Sequence, residues 1–198
     1  MPITTIDLLR HGEPQGGRRY RGQIDDPLSE KGWNEMWQAV ALHPTPPWQQ
    51  IITSPLRRCY EFAQRLSEQA DIPLVSDARL KEVGFGSWEG KTRGELKTID
   101  PDIISRFYHD PINHRPVGAE PLEQFSERVN NALNDCLEHY HGQHLLIIAH
   151  AGVIRAIITR VLSAPLTSMY RISIATASLT RLQQDEERPL TIIYHSKK

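Results

Sequence analysis

The chain has 198 residues, a length that suits one α/β core and is short for two independent ones. Its 23 Lys and Arg residues nearly balance 24 Asp and Glu residues, and the formal net charge of −1 excludes the basic surface of a nucleic-acid-binding protein. The apolar runs are strand-length and the first residues show no leader peptide, so we expect a cytoplasmic protein without membrane contact. Two cysteines, Cys59 and Cys136, are too few for a disulfide framework.

The first predicted element is a strand from Thr4 to Arg10, which leads directly into His11 and Gly12. The carboxyl ends of strands in open α/β sheets are the places where such folds bind ligands. Glycine after the histidine allows a ligand or another backbone segment to approach closely. An Arg-His pair at this position suits a phosphoryl group, because arginine offers a fixed fork of donors to phosphate oxygens and histidine can act as a nucleophile.

The second predicted unit consists of a helix, a strand and another helix. We predict a helix from Glu30 to Leu42 that is stopped by His43 to Pro47, a strand from Gln50 to Thr53, and a helix from Pro55 to about Glu68. Ser54 is a good N-cap residue, and Pro55 suits the first helical position. Arg58 then lies in the first turn, where the helix N-terminus already favours anions.

The rest of the chain alternates in the same way. We predict a strand from Pro73 to Ser76, short helices and loops over 90–114, a helix from Leu122 to Tyr140, a strand from Leu145 to Ala149, a helix from Val153 to Leu162, and a final antiparallel pair over Ser178–Gln183 and Thr191–Tyr194. This alternation indicates one domain over residues 1–198. The predicted fold class is α/β, a three-layer α/β/α sandwich with a mostly parallel central sheet.

The strand over Leu145–Ala149 ends in His150, followed by a small residue and a glycine, which repeats the pattern at His11. Two strand ends that each present a histidine are difficult to explain by core packing. Together with Arg10 and Arg58 they predict a phosphoryl site whose positive charge comes from arginine. We expect His11 to be the nucleophile, with its other ring nitrogen donating to a backbone carbonyl.

Four segments carry a more specific pattern, and they occur in order along nearly the whole chain: Arg10 to Glu13, Ser54 to Arg58, Leu80 to Gly90, and His150 to Gly152. Together they resemble the histidine phosphatase superfamily, in its phosphoglycerate-mutase-like branch. The resemblance implies catalytic roles for Arg10, His11, Arg58 and His150, with Glu82 as the proton donor. It also implies a phosphoglycerate-mutase-like fold, no cofactor and no metal, and a lid of helices and loops over about residues 90–120.

Within that branch, the segment from Tyr20 to Trp33 is most similar to the α-ribazole phosphatases of cobalamin assembly. The resemblance places substrate contacts at Arg21, Gly22, Gln23, Glu120 and Ala151. Gly17 stands where many relatives have a phosphate-binding asparagine, and Arg21 stands where they have serine or threonine. Either Arg21 or its neighbours Arg18 and Arg19 replace those contacts with a cation, or these arginines form a solvated loop face.

Three functions remain open from the sequence. The first is a metal-independent phosphomonoesterase that forms a phosphohistidine and acts on α-ribazole 5′-phosphate or, alternatively, on a range of sugar phosphates. The second is a phosphoglycerate mutase, for which the region between Glu82 and Gly118 is short. The third is a phosphate-binding module without catalysis, which the retained catalytic residues argue against. In each case the expected partner is a small phosphate ester.

Other residue groups have simpler interpretations. His139, His141 and His144 lie near the end of a predicted helix, but no cysteine or carboxylate pattern accompanies them, so we predict no metal site there. Trp88 is a candidate for lining the substrate pocket. Glu13 is expected to stiffen the loop after His11 through hydrogen bonds.

Overall fold

The structure, a computed structural model, describes residues 2–42 and 45–197. Over this part of the chain the strands are β1 (Thr4–Arg10), β2 (Gln50–Thr53), β3 (Leu74–Ser76), β4 (His144–Ala149), β5 (Leu179–Gln184) and β6 (Thr191–Lys197). The α-helices are α1 (Glu30–Ala41), α2 (Arg57–Ala70), α3 (Arg93–Ile99), α4 (Ile103–His109), α5 (Leu122–His139) and α6 (Ala151–Val161). Short 3-10 segments cover Ala78–Leu80, Gly86–Trp88 and Leu166–Arg171.

The strands form one sheet in the order β3-β2-β4-β1-β5-β6. The central strands β1 and β4 are parallel, with Thr5 beside His144 and Arg10 beside Ala149. β2 is parallel to both β4 and β3, whereas β5 is antiparallel to β1 and to β6. The predicted α/β fold with a mostly parallel sheet is confirmed, and its antiparallel pairs lie together at one side.

Helices cover both faces of this sheet. In β4, Leu145 and Ile147 pack with α5 and α6 on one face. The alternate residues Leu146 and Ile148 pack with α1 and α2 on the other face. Because successive side chains of a strand point to opposite faces, an unbroken apolar run is what a strand covered on both sides requires. Both faces are therefore occupied by core, which leaves the carboxyl ends of the strands for a ligand site.

Most predicted boundaries agree with the structure to within one or two residues. The largest difference is β6, which extends to Lys197, three residues beyond the predicted end. α6 begins at Ala151 and α2 begins at Arg57, each two residues from the predicted start. Residues 43 and 44, part of the predicted helix stop after α1, lie outside the described residues.

The segment between β3 and α5 packs through aromatic rings. α3 begins with a capping box in which Thr92 and Glu95 satisfy each other's backbone amides. In α4, Phe107 is fully buried, with its ring centroid 5.1 Å from that of Trp88 and 4.6 Å from that of Tyr170. These contacts attach α4 to both neighbouring 3-10 segments. The lid role of residues 90–120 stays a prediction.

A buried carboxylate on β1 links this strand to its two neighbours in the sheet. Asp7 of β1 is fully buried and accepts hydrogen bonds from Trp48 Nε1 at 2.8 Å, from His144 Nε2 at 2.9 Å, and from two nitrogens of Arg181 at 2.8 Å. Burial alone would raise the pKa of Asp7, but these donors hold it well below its usual range. The network ties β1 to β4 and β5.

His144 and His139, two of the histidines near the end of the predicted helix, have different partners, since His144 contacts Asp7. His139 instead donates from Nδ1 to the carbonyl of Asp135 at 2.7 Å. Within residues 2–42 and 45–197, no three His, Cys, Asp or Glu side chains are grouped so that they could hold a metal ion. In the same ranges, no helix is long and apolar enough to cross a membrane.

Candidate active site

His11 lies immediately after β1, and its backbone amide extends the β1–β4 ladder by donating to the carbonyl of Ala149 at 3.0 Å. Its side chain is buried, with Nδ1 2.7 Å from the carbonyl oxygen of Gly12. A carbonyl only accepts, so Nδ1 carries the proton and Nε2 holds a free lone pair. Burial, together with the charges of Arg58 and Arg10, lowers the pKa of His11 well below its usual range. The ring is therefore neutral, with its free lone pair at Nε2, and the Nδ1 contact is the backbone-carbonyl hydrogen bond that the sequence predicts.

The backbone around His11 is held by close packing and by Glu13. A Cβ on Gly12 would lie 2.3 Å from the carbonyl oxygen of Gly32 in α1, so glycine is required at this contact. The backbone carbonyl of Glu13 accepts hydrogen bonds from both the amide and the hydroxyl of Ser29, and its carboxylate binds Lys31 at 2.9 Å. The prediction that Glu13 stiffens this loop is confirmed.

His150 follows β4 and is fully buried, with its ring centroid 5.2 Å from that of His11. Its Nε2 lies 2.7 Å from Ser54 Oγ. Burial and the nearby charge of Arg58 lower the pKa of His150 well below its usual range, so this imidazole is also neutral. The Ser54 hydroxyl accepts from the amide of Leu56 at 3.3 Å, which leaves its own proton available for His150.

The predicted N-cap role of Ser54 is therefore wrong. Helix α2 begins at Arg57, two residues after the predicted start at Pro55, and its N-cap residue Leu56 makes no side-chain capping bond. The amide of Arg57 instead donates to Asp25 Oδ1 at 2.6 Å. The hydroxyl of Ser54 forms a hydrogen bond with His150, which lies 96 residues away in sequence. Rules for helix capping consider only neighbouring residues and do not predict such a contact.

We expect Ser54→Ala to lower kcat/KM by about 10–100-fold, because a buried imidazole nitrogen left without a partner costs ~1–3 kcal/mol. Ser54→Thr retains the hydroxyl and should recover most of this loss. The measurement is steady-state hydrolysis of an aryl phosphate, with the melting temperature of each variant as a check on folding. Wild-type kcat/KM in a folded Ser54→Ala variant would show that His150 does not depend on this contact.

Two arginines lie beside His11, the half-buried Arg10 and the buried Arg58. Arg58 is 1% exposed and donates to the carbonyls of Ile24 at 2.6 Å and Gly22 at 2.8 Å. Arg10 donates from Nη1 to the carbonyl of Ile174, and burial lowers its pKa to about 10. The Nε atoms of Arg10 and Arg58 are buried without a partner among the described residues. Buried donors are nearly always satisfied, and an anion bound between these side chains would satisfy both.

Glu82 is fixed by two backbone amides. Its Oε1 accepts from Val83 at 2.9 Å, and its Oε2 accepts from Gly152, in the first turn of α6, at 3.1 Å. A Cβ on Gly152 would lie 2.1 Å from Glu82 Oε1, so only glycine leaves space for the carboxylate. The predicted acid is thus connected directly to the helix that follows His150.

Arg10, His11, Arg58 and Glu82 line one pocket of about 400 Å³. His150 lies behind it, in contact with His11. The structure therefore brings together all of the predicted catalytic residues, with neutral imidazoles and buried guanidinium groups around a single volume of small-ligand size.

Comparisons with known proteins identify the family of this chain. Residues 6–195 match the family described as histidine phosphatase superfamily (branch 1). The chain belongs to the histidine phosphatase superfamily. A protein of Hydrogenobacter thermophilus named "Putative phosphoserine phosphatase 2" is 28% identical over 192 residues, which cover 96% of this chain and 94% of that protein.

Several solved structures share the fold of this chain. Bacillus stearothermophilus YhfR is 27% identical, with a TM-score of 0.89 and coverage of 98% of both chains. Mycobacterial glucosyl-3-phosphoglycerate phosphatase, in a complex with VO3, is 24% identical with a TM-score of 0.87, over 98% of this chain and 99% of that one. The α-ribazole phosphatase of Shigella flexneri is 24% identical with a TM-score of 0.84, over 98% of this chain and 96% of that one.

The three loop arginines of this histidine phosphatase differ in their surroundings. Arg21 is buried, pairs with Asp26 at 2.9 Å and donates to the carbonyl of Gly17 at 2.6 Å. Arg18 and Arg19 are exposed. All three line the pocket. Arg18 and Arg19 are therefore solvated at the pocket, whereas Arg21 holds the loop together from inside, and the replacement of the missing phosphate contacts by one of these cations stays a prediction.

Of the other predicted substrate contacts, one lines the pocket and three do not. Gly22 lines the pocket at φ +53°, and a Cβ there would lie 2.0 Å from Glu89 Oε1. Gln23, Glu120 and Ala151 are not among the pocket-lining residues, and their role as substrate contacts stays a prediction. Gln23 is exposed, Ala151 is buried in the first turn of α6, and Glu120 is held by Arg128 at 2.6 and 2.8 Å.

Sequence reasoning missed part of the pocket wall in this histidine phosphatase. The missed lining residues include four aromatic residues and one cation: Tyr20, Phe85, Tyr108, Tyr170 and Arg155. Arg155 follows His150 by five residues, and that spacing could have indicated it. Trp88, the predicted lining residue, is 3% exposed and packs behind Tyr20 with a ring-centroid distance of 5.0 Å.

Proposed function

We propose that this histidine phosphatase is a metal-independent phosphomonoesterase that acts through a phosphohistidine on His11. The observation that carries this proposal is the neutral His11 ring, whose Nδ1 is committed to the Gly12 carbonyl and whose Nε2 is free beside Arg10 and Arg58. An imidazole in this state is a competent nucleophile, and the adjacent buried cations suit the charge of a phosphoryl group.

The reaction follows from these positions. His11 Nε2 attacks phosphorus, the N–P bond forms, and the P–O bond to the alcohol breaks. Glu82, protonated at this stage, gives its proton to the leaving alkoxide. Water then attacks the phosphohistidine, Glu82 takes a proton from that water, and the N–P bond breaks to release inorganic phosphate. His11 returns to its starting state.

Arg10 and Arg58 stabilise the charge on the phosphoryl oxygens during both steps, and His150 is the third group that we assign to this role. Preorganised donors in a site of this kind are each worth about 3 kcal/mol. Arg58 is suited to it because two of its nitrogens are already held by the carbonyls of Ile24 and Gly22. The Arg58 side chain therefore needs little reorganisation when the substrate binds.

Product analysis distinguishes this function from the other two. An aryl phosphate and a phosphoglycerate are incubated separately with the protein. Release of inorganic phosphate supports the phosphomonoesterase, interconversion of phosphoglycerates supports a mutase, and binding of phosphate esters without turnover supports a non-catalytic module. The first outcome is expected, because water is the simplest acceptor for a phosphohistidine.

For the alcohol part of the substrate we propose two candidates. The segment from Tyr20 to Trp33 favours α-ribazole 5′-phosphate, which would assign the enzyme to cobalamin assembly in the cytoplasm. The aromatic wall of Tyr20, Phe85, Tyr108 and Tyr170 is compatible with a ring-bearing alcohol of this kind. It also suits sugar rings, so a broad sugar-phosphate phosphatase is the alternative. A panel of both ester types ranks them by kcat/KM.

We expect chelators to leave activity unchanged and vanadate to inhibit it. The positive charge of the site comes from arginine side chains, so phosphoryl transfer needs no divalent ion. Vanadate can adopt the five-coordinate geometry of the transferring group, and analogues of that state bind about 10²–10⁸-fold more tightly than substrates. The measurement is aryl phosphate hydrolysis with excess chelator and, separately, over a vanadate titration. Loss of activity in chelator, restored by a divalent ion, would contradict the mechanism.

A further inference from the structure

The backbone that carries Glu82 has no regular secondary structure. Residues 82–85 lie between two short 3-10 segments and belong to no helix or strand. The carboxylate of Glu82 binds the amides of Val83 and Gly152, but these contacts orient it only as well as the backbone itself is held. The groups that hold this segment therefore determine where the acid can deliver its proton.

Arg128 of α5 binds this segment through backbone carbonyls. Its Nη1 donates to the carbonyls of Arg79 at 2.5 Å and Lys81 at 2.8 Å, and its Nη2 donates to the carbonyl of Glu82 at 3.2 Å. A guanidinium can make such a set of contacts because its donors lie in one plane with fixed directions. The ammonium of a lysine is a compact point charge and cannot reproduce the set. Arg128 therefore fixes the chain on both sides of Lys81 and at Glu82 itself.

Glu120, just before α5, completes the arrangement. Its carboxylate accepts from Arg128 Nε at 2.6 Å and Nη2 at 2.8 Å, which makes a bidentate ion pair. Its Oε2 also accepts from the amide of Gly84 at 3.1 Å, and its own amide donates to the carbonyl of Gly84 at 3.1 Å. The side chains of Arg128 and Glu120 are 21% and 19% exposed, so water competes little for these contacts.

The acid is thus held from two directions. Arg128 and Glu120 bind the backbone at Glu82 and Gly84, and the Glu82 carboxylate binds the amide of Gly152 in α6. A general acid must lie within hydrogen-bond reach of the leaving oxygen, and a misplacement of about 1 Å can cost about 10²-fold in rate. Arg128 and Glu120 are not among the pocket-lining residues, so they act on the reaction through the segment that they hold.

We propose that the ion pair of Arg128 and Glu120 positions the proton donor, because it fixes the backbone around Glu82 so that the carboxyl group reaches the leaving oxygen. This assignment rests on the proposed phosphatase function. It gives Glu120 a role through Glu82, as an alternative to the predicted contact with substrate. Loss of the pair slows the step that needs a proton and spares a leaving group that needs none.

The test compares the best alkyl ester of the substrate panel with an aryl phosphate. In Arg128→Gln we expect kcat/KM to fall about 10–100-fold for the alkyl ester and to change less than about threefold for the aryl ester. Arg128→Lys retains the charge beside Glu120 and should keep more of the alkyl activity. Glu120→Gln keeps an oxygen for the amide of Gly84, so it should show the same pattern with a smaller loss. This milder variant also serves if Arg128→Gln does not fold.

A double variant tests whether Arg128 acts through Glu82. In a Glu82→Gln background, Arg128→Gln should cause little further loss on the alkyl ester, because two changes that act through one group are not additive. Hydrogen exchange of the Val83 and Gly84 amides measures the positioning without turnover. Both amides should exchange faster in Arg128→Gln than in the wild type, since the contacts that hold their segment are weakened.

Arg160→Gln is the matched control. Arg160 of α6 also binds α5 through a backbone carbonyl, that of Asn130 at 3.0 Å, and through the side chain of Asn134 at 2.6 Å. It is exposed and does not line the pocket. Its replacement should leave both esters at wild-type rates and the Val83 and Gly84 amides at wild-type exchange.

The possible failures are distinguishable. Equal losses on the two esters in folded Arg128→Gln and Glu120→Gln would overturn the positioning role and leave the phosphatase function intact. A full additional loss in the Glu82→Gln background, or unchanged exchange of the Val83 and Gly84 amides, would overturn it as well. A wild-type protein that hydrolyses neither ester would refute the phosphatase function, and the positioning role with it.

Discussion

Replacement of His11 by alanine is expected to abolish turnover, with a loss of at least about 10⁴-fold in kcat. Among the described residues, His11 is the one histidine that lines the pocket, since His150 is buried behind it and engaged by Ser54. Enzyme quenched in acid after incubation with labelled substrate should carry an acid-labile phosphate in the wild type. That label should be missing from the variant.

His141→Ala is a suitable control for this experiment. His141 is exposed, lies between α5 and β4, and does not line the active-site pocket. Its replacement should leave both turnover and the acid-labile label at wild-type levels. A His11→Ala variant that retains full activity, or retains the label, would remove His11 from the role of nucleophile.

The second large effect is expected for Glu82→Gln, and it should depend on the leaving group. A sugar or other alkyl alkoxide is a poor leaving group that needs a proton, so its hydrolysis should fall by about 10²–10⁴-fold, the usual contribution of general acid catalysis. An aryl phosphate releases a stable phenolate and should lose little.

Glutamine retains the size of Glu82 and one carbonyl oxygen for the amides of Val83 or Gly152, so the fold should tolerate it. Glu123→Gln, an exposed change in the first turn of α5, controls for the loss of one carboxylate. Equal losses on alkyl and aryl esters would mean that Glu82 positions the site and does not deliver the proton. Glu120, the other carboxylate that the sequence indicates, is held by Arg128 outside the pocket.

The parts of the site that the sequence predicts well are those determined locally. β1 and β4 are short apolar runs that end in a histidine, and parallel pairing of such strands places His11 and His150 at the same edge of the sheet. Arg10 is fixed by its place beside His11. The catalytic group therefore follows from strand periodicity and from the rule that ligands bind at the carboxyl ends of parallel strands.

The parts that the sequence does not predict depend on contacts between distant segments. Ser54 satisfies every local criterion for an N-cap, but its hydroxyl instead forms a hydrogen bond with the buried imidazole of His150. Glu120 lies in a segment that the resemblance assigns to substrate binding, but the packing of Arg128 from α5 takes both of its oxygens. Tyr108 and Tyr170 enter the pocket from separate helical segments, and helical periodicity alone does not distinguish a core aromatic from one that lines a pocket.

The position of β1 in the sheet has a consequence for how the enzyme is made. β1 is synthesised before β4 and β5, but Thr5 pairs with His144 of β4 and Gln183 of β5, and Asp7 binds Arg181 of β5. Contacts of such long sequence separation form slowly, and until they form an apolar strand with unpaired edges stays accessible to other chains. The strand that leads into His11 can thus be paired on both sides only after β4 and β5 have been made, and until then it needs protection from aggregation.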